Sequence, residues 1–377
     1  MADTATVSYA PTDELELIRT TARQFLEERL SLPVVRELMV SEEGFDTAVW
    51  KDMAGMGWTG LAIAEEHGGS GFGPVELGVL LEEMGRMTTP GPFFASTVVA
   101  TTAIQETATP EQCADLLPNL ASGETLAALA LFEGPRSWSP ENPPTSASRS
   151  DEGWVIDGSK RAVLGGIEAD LLVVSATTDD GVSLFAVPAG LEGVQITSEP
   201  VLDPTRRQAS VVLDSVRVAD HARLGPGDVT AALQRTLALS VAYLACEQVG
   251  GAQRCLDMAV DYAKNRHQFG RPIGSFQAIK HRCAQMLMKV EHARSVAYHA
   301  VRVTEEPDEL AVAAPLAGSV ASEAYVWIAG ENIQVHGGIG FTWEHDAHIY
   351  LKRAKASSLL FGDPGYQRHL LGQAIGI

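Results

Sequence analysis

Residues 237–252 read LALSVAYLACEQVGGA, and between Arg235 and Arg254 the one formally charged residue is Glu247. A helix that is apolar on nearly every face cannot lie on a surface; other helices must wrap it. A carboxylate inside such a helix is costly unless it is paired, neutralised or used. Gly250 and Gly251 follow within a turn and allow another backbone to come close. The stretch therefore demands a helical bundle. It also asks what Glu247 meets: Arg254, another cation, or a reacting molecule.

The surrounding pattern supplies the bundle. One helix is expected over about 229–265, two more over 275–304 and 307–335, and a shorter one at the chain's end. Upstream, residues 12–119 also read as helical. TDELELIRTTARQFLEERL has helical apolar spacing and a start signal in Thr12 and Glu14, FDTAVWKDMAGMGW is amphipathic, and PVELGVLLEEMGRM follows. The glycine-rich EEHGGSGFG (65–73) has no strand before it and no Lys-Ser/Thr after it, so it is a poor phosphate loop. Between 125 and 223 the character changes to short β-branched runs, such as GWVIDGSKRAVLGG and QASVVLDSVRV, which predict a compact antiparallel β-domain. The Pro- and Ser-rich segment 133–153 reads as a loop. The expected division is 1–119 helical, 120–227 β and 228–377 helical, an α+β multidomain chain.

Composition removes several function classes. The chain has 377 residues and a formal net charge of −20, the wrong sign for binding nucleic-acid phosphates. Cys113, Cys246, Cys255 and Cys283 form no CxxC pair, and three of them lie in apolar helical stretches. The N-terminal residues lack the basic and apolar regions of a signal peptide, and no uninterrupted apolar run has the length of a membrane span. These features predict a soluble cytoplasmic protein. WEHDAH places His345, Asp346 and His348 together, but nothing else completes a metal site, and a helix cap is the expected role.

Two motifs are dense in turn and binding residues. YAKNRHQFGRPIGSFQAIKHR (262–282) ends one helix, turns at FGRPIG and starts the next with Ser275 as the expected N-cap. IQVHGGIGFTWEHDAHIYLKRAK (333–355) carries Gly337, Gly338 and Gly340. Together with GWTGLAIAEEHGGSGFGPVELGVLLEEMGR and ADLLVVSA, these motifs resemble the acyl-CoA dehydrogenase family over nearly the whole chain. The resemblance implies an N-terminal α-helical domain, a middle antiparallel β-barrel-like domain and a C-terminal four-helix bundle, assembled as a dimer of dimers. It implies FAD at a subunit interface, with an electron-transfer flavoprotein or another acceptor taking the electrons. By position, Arg266 corresponds to the arginine that reaches the FAD pyrophosphate of the neighbouring subunit. Phe269 and Gln277 match its companions, and Gln334, Gly337 and Gly338 match the segment along the adenosine and pyrophosphate. The reaction implied is α,β-desaturation of an acyl-CoA thioester, with a carboxylate removing the α-proton.

The chain departs from that pattern at three places. The middle-domain flavin motif reads ALFEGPRSWS (130–139), so Phe132 replaces a hydroxyl residue and only Glu133 remains. The Trp-Ile-Thr/Ser that contacts flavin reads Ala162-Val163-Leu164. The glutamate position of the catalytic Glu-Gly-Thr falls on Phe361, and the alternative base position falls on Ser240. Glu247, seven residues after Ser240, points to roughly the same side of its helix and is one candidate base; Asp363 is another. Two readings stay open. The chain is a dehydrogenase with a displaced base, in a homotetramer. Or it is a flavin-sharing subunit of an α2β2 heterotetramer with a homologous chain, keeping the cross-interface contacts and having lost its own. The altered FGD and AVL also predict a pocket for a bulky acyl group, such as a steroid side chain.

Overall fold

The computed structural model describes residues 12–134 and 138–377; residues 1–11, read above for a leader, and residues 135–137 of the Pro/Ser-rich loop lie outside them. The N-terminal part is helical: α1 (Asp13–Arg29), α2 (Leu32–Leu38), α3 (Thr47–Gly55), α4 (Pro74–Arg86), α5 (Thr101–Thr107) and α6 (Pro110–Ala121). A π-helical stretch, Phe94–Ala100, leads directly into α5. Thr12 caps α1 as expected, accepting from the Leu15 amide at 3.2 Å.

Eight strands follow: β1 (Ala127–Ala130), β2 (Ser146–Ser150), β3 (Gly153–Leu164), β4 (Leu171–Thr178), β5 (Gly181–Pro188), β6 (Val194–Ser198), β7 (Gln208–Val218) and β8 (Arg223–Leu224). They form one sheet in the order β6-β7-β3-β2-β4-β5-β8, with β1 beside β4. The sheet is not wholly antiparallel, because β1 runs parallel to β4, pairing Ala127 with Leu171. The segment 133–153 is not loop throughout either, since β2 pairs antiparallel with β3. Its Ser and Arg residues hide a strand because β2 is largely exposed and needs no apolar face.

Strand alternation joins the β-domain to the helices. Leu129 and Val173 point into the helical core, while Ala128, Ala130, Leu172 and Val174 point into a separate core within the sheet, beside Trp154 and Phe185. Covered on both faces, β1 and β4 read as continuous apolar runs.

The C-terminal part comprises α7 (Thr230–Asn265), α8 (Gln277–Arg302), α9 (Pro307–His336), α10 (Ala347–Ser357) and α11 (Pro364–Ala374). A small hairpin, β9 (His267–Gln268) and β10 (Arg271–Pro272), links α7 to α8. Its two loop residues, Phe269 (φ 52°) and Gly270 (φ 77°), have the positive φ of a tight primed turn. Ser275 does not cap α8; its hydroxyl donates to the Pro272 carbonyl at 2.7 Å inside a short 3-10 turn, and the helix begins at Gln277. By length and composition α9 could cross a membrane, but 61% of that apolar window is buried inside the protein.

Helix α7 crosses α4 at backbone contact. A Cβ on Gly250 would lie 1.8 Å from the Glu82 carbonyl oxygen, and one on Gly85 would lie 1.9 Å from the Glu247 carbonyl oxygen. The facing Gly250 thus explains itself, and Glu247 is drawn in by the same crossing.

Candidate functional site

Glu247 sits on α7 with 5% of its surface exposed. Arg206, from the turn before β7, donates Nη2 to its Oε2. Arg353, from α10, donates Nη1 to its Oε1 at 2.8 Å. Arg353 also pairs through Nε with Asp203 at 2.8 Å and donates Nη2 to Thr205 Oγ1 at 2.7 Å and to the Thr89 carbonyl at 2.9 Å. Arg206 reaches Ser357 Oγ at 3.2 Å and lies over the Phe94 ring at 4.9 Å. Two guanidinium groups and two carboxylates thus neutralise each other inside the protein. Burial works to raise the Glu247 pKa, but the charges of Arg206 and Arg353 outweigh it and hold the carboxyl below its usual range.

This geometry argues against Glu247 as a base. A general base needs a free oxygen facing the proton it takes, and a pKa near the working pH. Here both oxygens are held by guanidinium groups and the pKa moves the wrong way. The cations are Arg206 and Arg353, not Arg254. The Asp363 carboxylate accepts from the Tyr366 amide at 2.8 Å and caps α11. At the alternative base position, Ser240 donates to the Thr236 carbonyl one turn back on α7 at 2.8 Å.

A cavity of about 580 Å³ opens between α7, α9, α11 and the loop carrying Trp138. Leu237, Val241, Leu310 and Ala314 give it an apolar floor, and Phe361 stands in its wall. Its polar groups include Arg235, Glu141 and His369. Arg235 is tied to Glu106 at 2.9 Å, and exposed Glu141 accepts from Gln234 at 3.3 Å. Trp138 donates its indole N–H to the Leu359 carbonyl at 3.1 Å and packs on Tyr366, with ring centroids 5.3 Å apart. Neither Glu247 nor Asp363 lines this cavity. Sequence reasoning missed Trp138, Tyr366 and Arg235: Trp138 lies in a segment that reads as a linker, and only packing brings the three together.

The cofactor residues fall into two sets. Tyr262, one turn before Arg266, stacks on His336, beside Gly337, with ring centroids 4.3 Å apart. The stack brings the ends of α7 and α9 together, and α8 starts at the same end through Gly274, close against Ala263. Arg266, Phe269, Gln277, Gln334, Gly337 and Gly338 are all exposed there, Phe269 at 91%. Gly337 needs its positive φ of 64°, but a Cβ on Gly338 would meet nothing within 4 Å. No contact within the chain requires glycine at 338. A forked guanidinium and open backbone fit a phosphate-bearing ligand.

The middle-domain set is different. Glu133 is committed to Lys160 and to the Thr145 amide at 2.9 Å. Burial, only partly offset by Glu133, lowers the Lys160 pKa to about 8. Phe132 and Leu164 pack against the helical core. The space bounded by Leu164, Phe94 and Arg206 measures about 10 Å³. That holds roughly one water molecule. The residues present do not fit a flavin ring against Leu164.

Comparison with known proteins agrees with this architecture. Residues 12–124 match the model of the acyl-CoA dehydrogenase N-terminal domain and residues 230–376 that of the C-terminal domain. The chain is 34% identical to acyl-CoA dehydrogenase IpdE2 of Mycolicibacterium smegmatis, over 94% of this chain and 96% of that protein. It resembles the solved Tcur3481-Tcur3483 steroid ACAD (33% identity, TM-score 0.87, 96% of this chain and 98% of that one). It also resembles the ChsE4-ChsE5 complex of Mycobacterium tuberculosis (28% identity, TM-score 0.89, 98% of this chain and 99% of that one). Helical N-terminal domain, middle sheet, C-terminal helices and both matched domains lead to one conclusion: the chain belongs to the acyl-CoA dehydrogenase family of oxidoreductases.

Proposed function

We propose that this chain serves the FAD-dependent α,β-desaturation of an acyl-CoA as the flavin-sharing subunit of an α2β2 assembly with a homologous chain. One observation carries the reading: Glu247, the strongest candidate base, is held on both oxygens by Arg206 and Arg353. Phe361 at the usual base position supplies no carboxylate. The exposed set at the end of α7 and α9 supports the other half of the reading. Arg266 would hold the pyrophosphate of FAD bound mainly by the homologous chain, and Gln334, Gly337 and Gly338 would lie along its adenosine. Bound there, FAD supplies the hydride acceptor, and an electron-transfer flavoprotein or another acceptor completes the oxidation. Two of the similar structures carry paired names, ChsE4-ChsE5 and Tcur3481-Tcur3483, which favours a two-chain assembly. The second of them is a steroid enzyme, which favours a bulky, ring-bearing acyl group as substrate.

The test is flavin content. Purified alone, the chain should hold little FAD; co-expressed with a neighbouring homologue, the pair should hold one FAD per two unlike chains. Arg266→Ala in that pair should weaken FAD binding roughly 10- to 100-fold, the worth of a charge-assisted hydrogen bond. One FAD per chain, with desaturation by this chain alone, would overturn the reading.

A further inference from the structure

In relatives, as the resemblance has it, the flavin ring lies against the residue at position 164 and the base stands at position 361. In this chain Phe94 and Arg206 fill the way between them. Both bound the small space at Leu164. The Phe94 ring lies 6.3 Å from the Phe361 ring, and the Arg206 guanidinium lies 4.9 Å over Phe94. Arg206 is 5% exposed and cannot swing out cheaply. Leaving would strip Glu247 of one of its two cations and break the bond to Ser357. Arg353, fixed by Asp203 and Thr205, braces the other side of Glu247.

Simple core filling does not call for such a cluster. Apolar side chains of similar volume fill a buried space at equal or lower cost than an ion-paired set. The charges do, however, fix one side chain in one place, which loose apolar packing does less well.

We propose that Arg206, clamped by Glu247 and backed by Phe94, is a built-in plug that closes this chain's own flavin-ring space. The inference rests on the flavin-sharing reading and gives it a cause: the lost hydroxyls at 132 and 164 remove contacts, but the plug excludes the ring. Glu247 is then a positioning residue for the plug.

Riboflavin, which presents the ring without the adenosine half, is the probe, and quenching of its fluorescence by the full-length chain is the readout. The wild type should show no saturable quenching. Arg206→Ala removes the arm of the plug, and Arg206→Ala with Phe94→Ala also removes its wall. Riboflavin should bind the double variant at least about tenfold more tightly than the wild type, with the single variant between them. Arg206→Met, which keeps the bulk but loses the clamp to Glu247, should open in part, with riboflavin binding between that of the wild type and Arg206→Ala; a Met variant as closed as the wild type would remove Glu247 from the plug. Saturable riboflavin binding by the wild type overturns the plug, as does a double variant that keeps its melting transition and gains no binding. If the double variant does not fold, Arg206→Ala carries the same test, because Glu247 keeps Arg353. The flavin-sharing reading fails separately, through Arg266→Ala in the mixed assembly. A chain that shares its partner's flavin yet takes riboflavin as wild type would sink the plug alone.

Discussion

The middle of α7 and its C-terminal end are built on opposite terms. Around Glu247 the charged groups are buried and matched, two guanidiniums to two carboxylates. Around Arg266 the same helix ends in exposed side chains and open backbone, with Phe269 and Gly338 touching little of their own chain. The first region is complete without a partner. The second is exposed, and at Gly338 no contact within the chain accounts for the residue. Within one family architecture, a site turned inward and a site held outward are thus separable by burial and satisfaction alone.

The largest effect should come from breaking the inward site. Glu247→Ala leaves two buried arginines short of a carboxylate and should cost about 3–5 kcal/mol. A urea titration reads this as a shifted midpoint. Arg266→Ala should change the same titration by less than about 0.5 kcal/mol, since an exposed side chain without structural contacts carries little stability. Equal effects would erase the distinction between the two regions.

The acid side sharpens the same contrast. The Glu247 pKa is lowered in the folded state, chiefly by Arg206 and Arg353 working against burial. Its stabilising contribution is therefore present above the unfolded pKa of about 4.3 and is lost as pH falls through the lower folded value. Wild-type stability should fall over that acid range, and Glu247→Gln should fall less steeply there. Identical acid limbs would mean that Glu247 is not the anion the cluster depends on.

A smaller loss is expected where α7 meets α4. The Cβ of Gly250→Ala would lie 1.8 Å from the Glu82 carbonyl oxygen, so the helices must part. The expected cost is about 1–3 kcal/mol, read from the same urea midpoint. Gly338→Ala meets nothing within 4 Å and should leave the midpoint unchanged.

Much of this was legible in the sequence. The apolar run around Glu247 demanded a surrounding bundle, and Gly250 announced the close crossing. The exposed turns at the ends of α7 and α9 could be read from FGRPIG and QVHGGIGF, whose local turn chemistry is written in neighbouring residues. The partners of Glu247 could not be read. Arg206 and Arg353 lie 41 and 106 residues away along the chain, and nothing local marks either as its cation. β2 was lost for a related reason: its pairing, not its own side chains, makes it a strand.

Asp363 carries the smallest effect and separates two uses of a carboxylate near the family's catalytic position. As the N-cap of α11, bonded to the Tyr366 amide at 2.8 Å, it should cost about 1 kcal/mol when changed to Ala. Asn caps as well as Asp, so Asp363→Asn should restore nearly all of that stability. A proton-abstracting acid behaves otherwise, because Asn cannot take a proton. If desaturation by the mixed assembly survives Asp363→Asn while Asp363→Ala only lowers the melting temperature, the residue is a cap. If activity collapses with Asn while the midpoint holds, the catalytic carboxylate has moved two residues along the chain from Phe361, and the chain is no passive half.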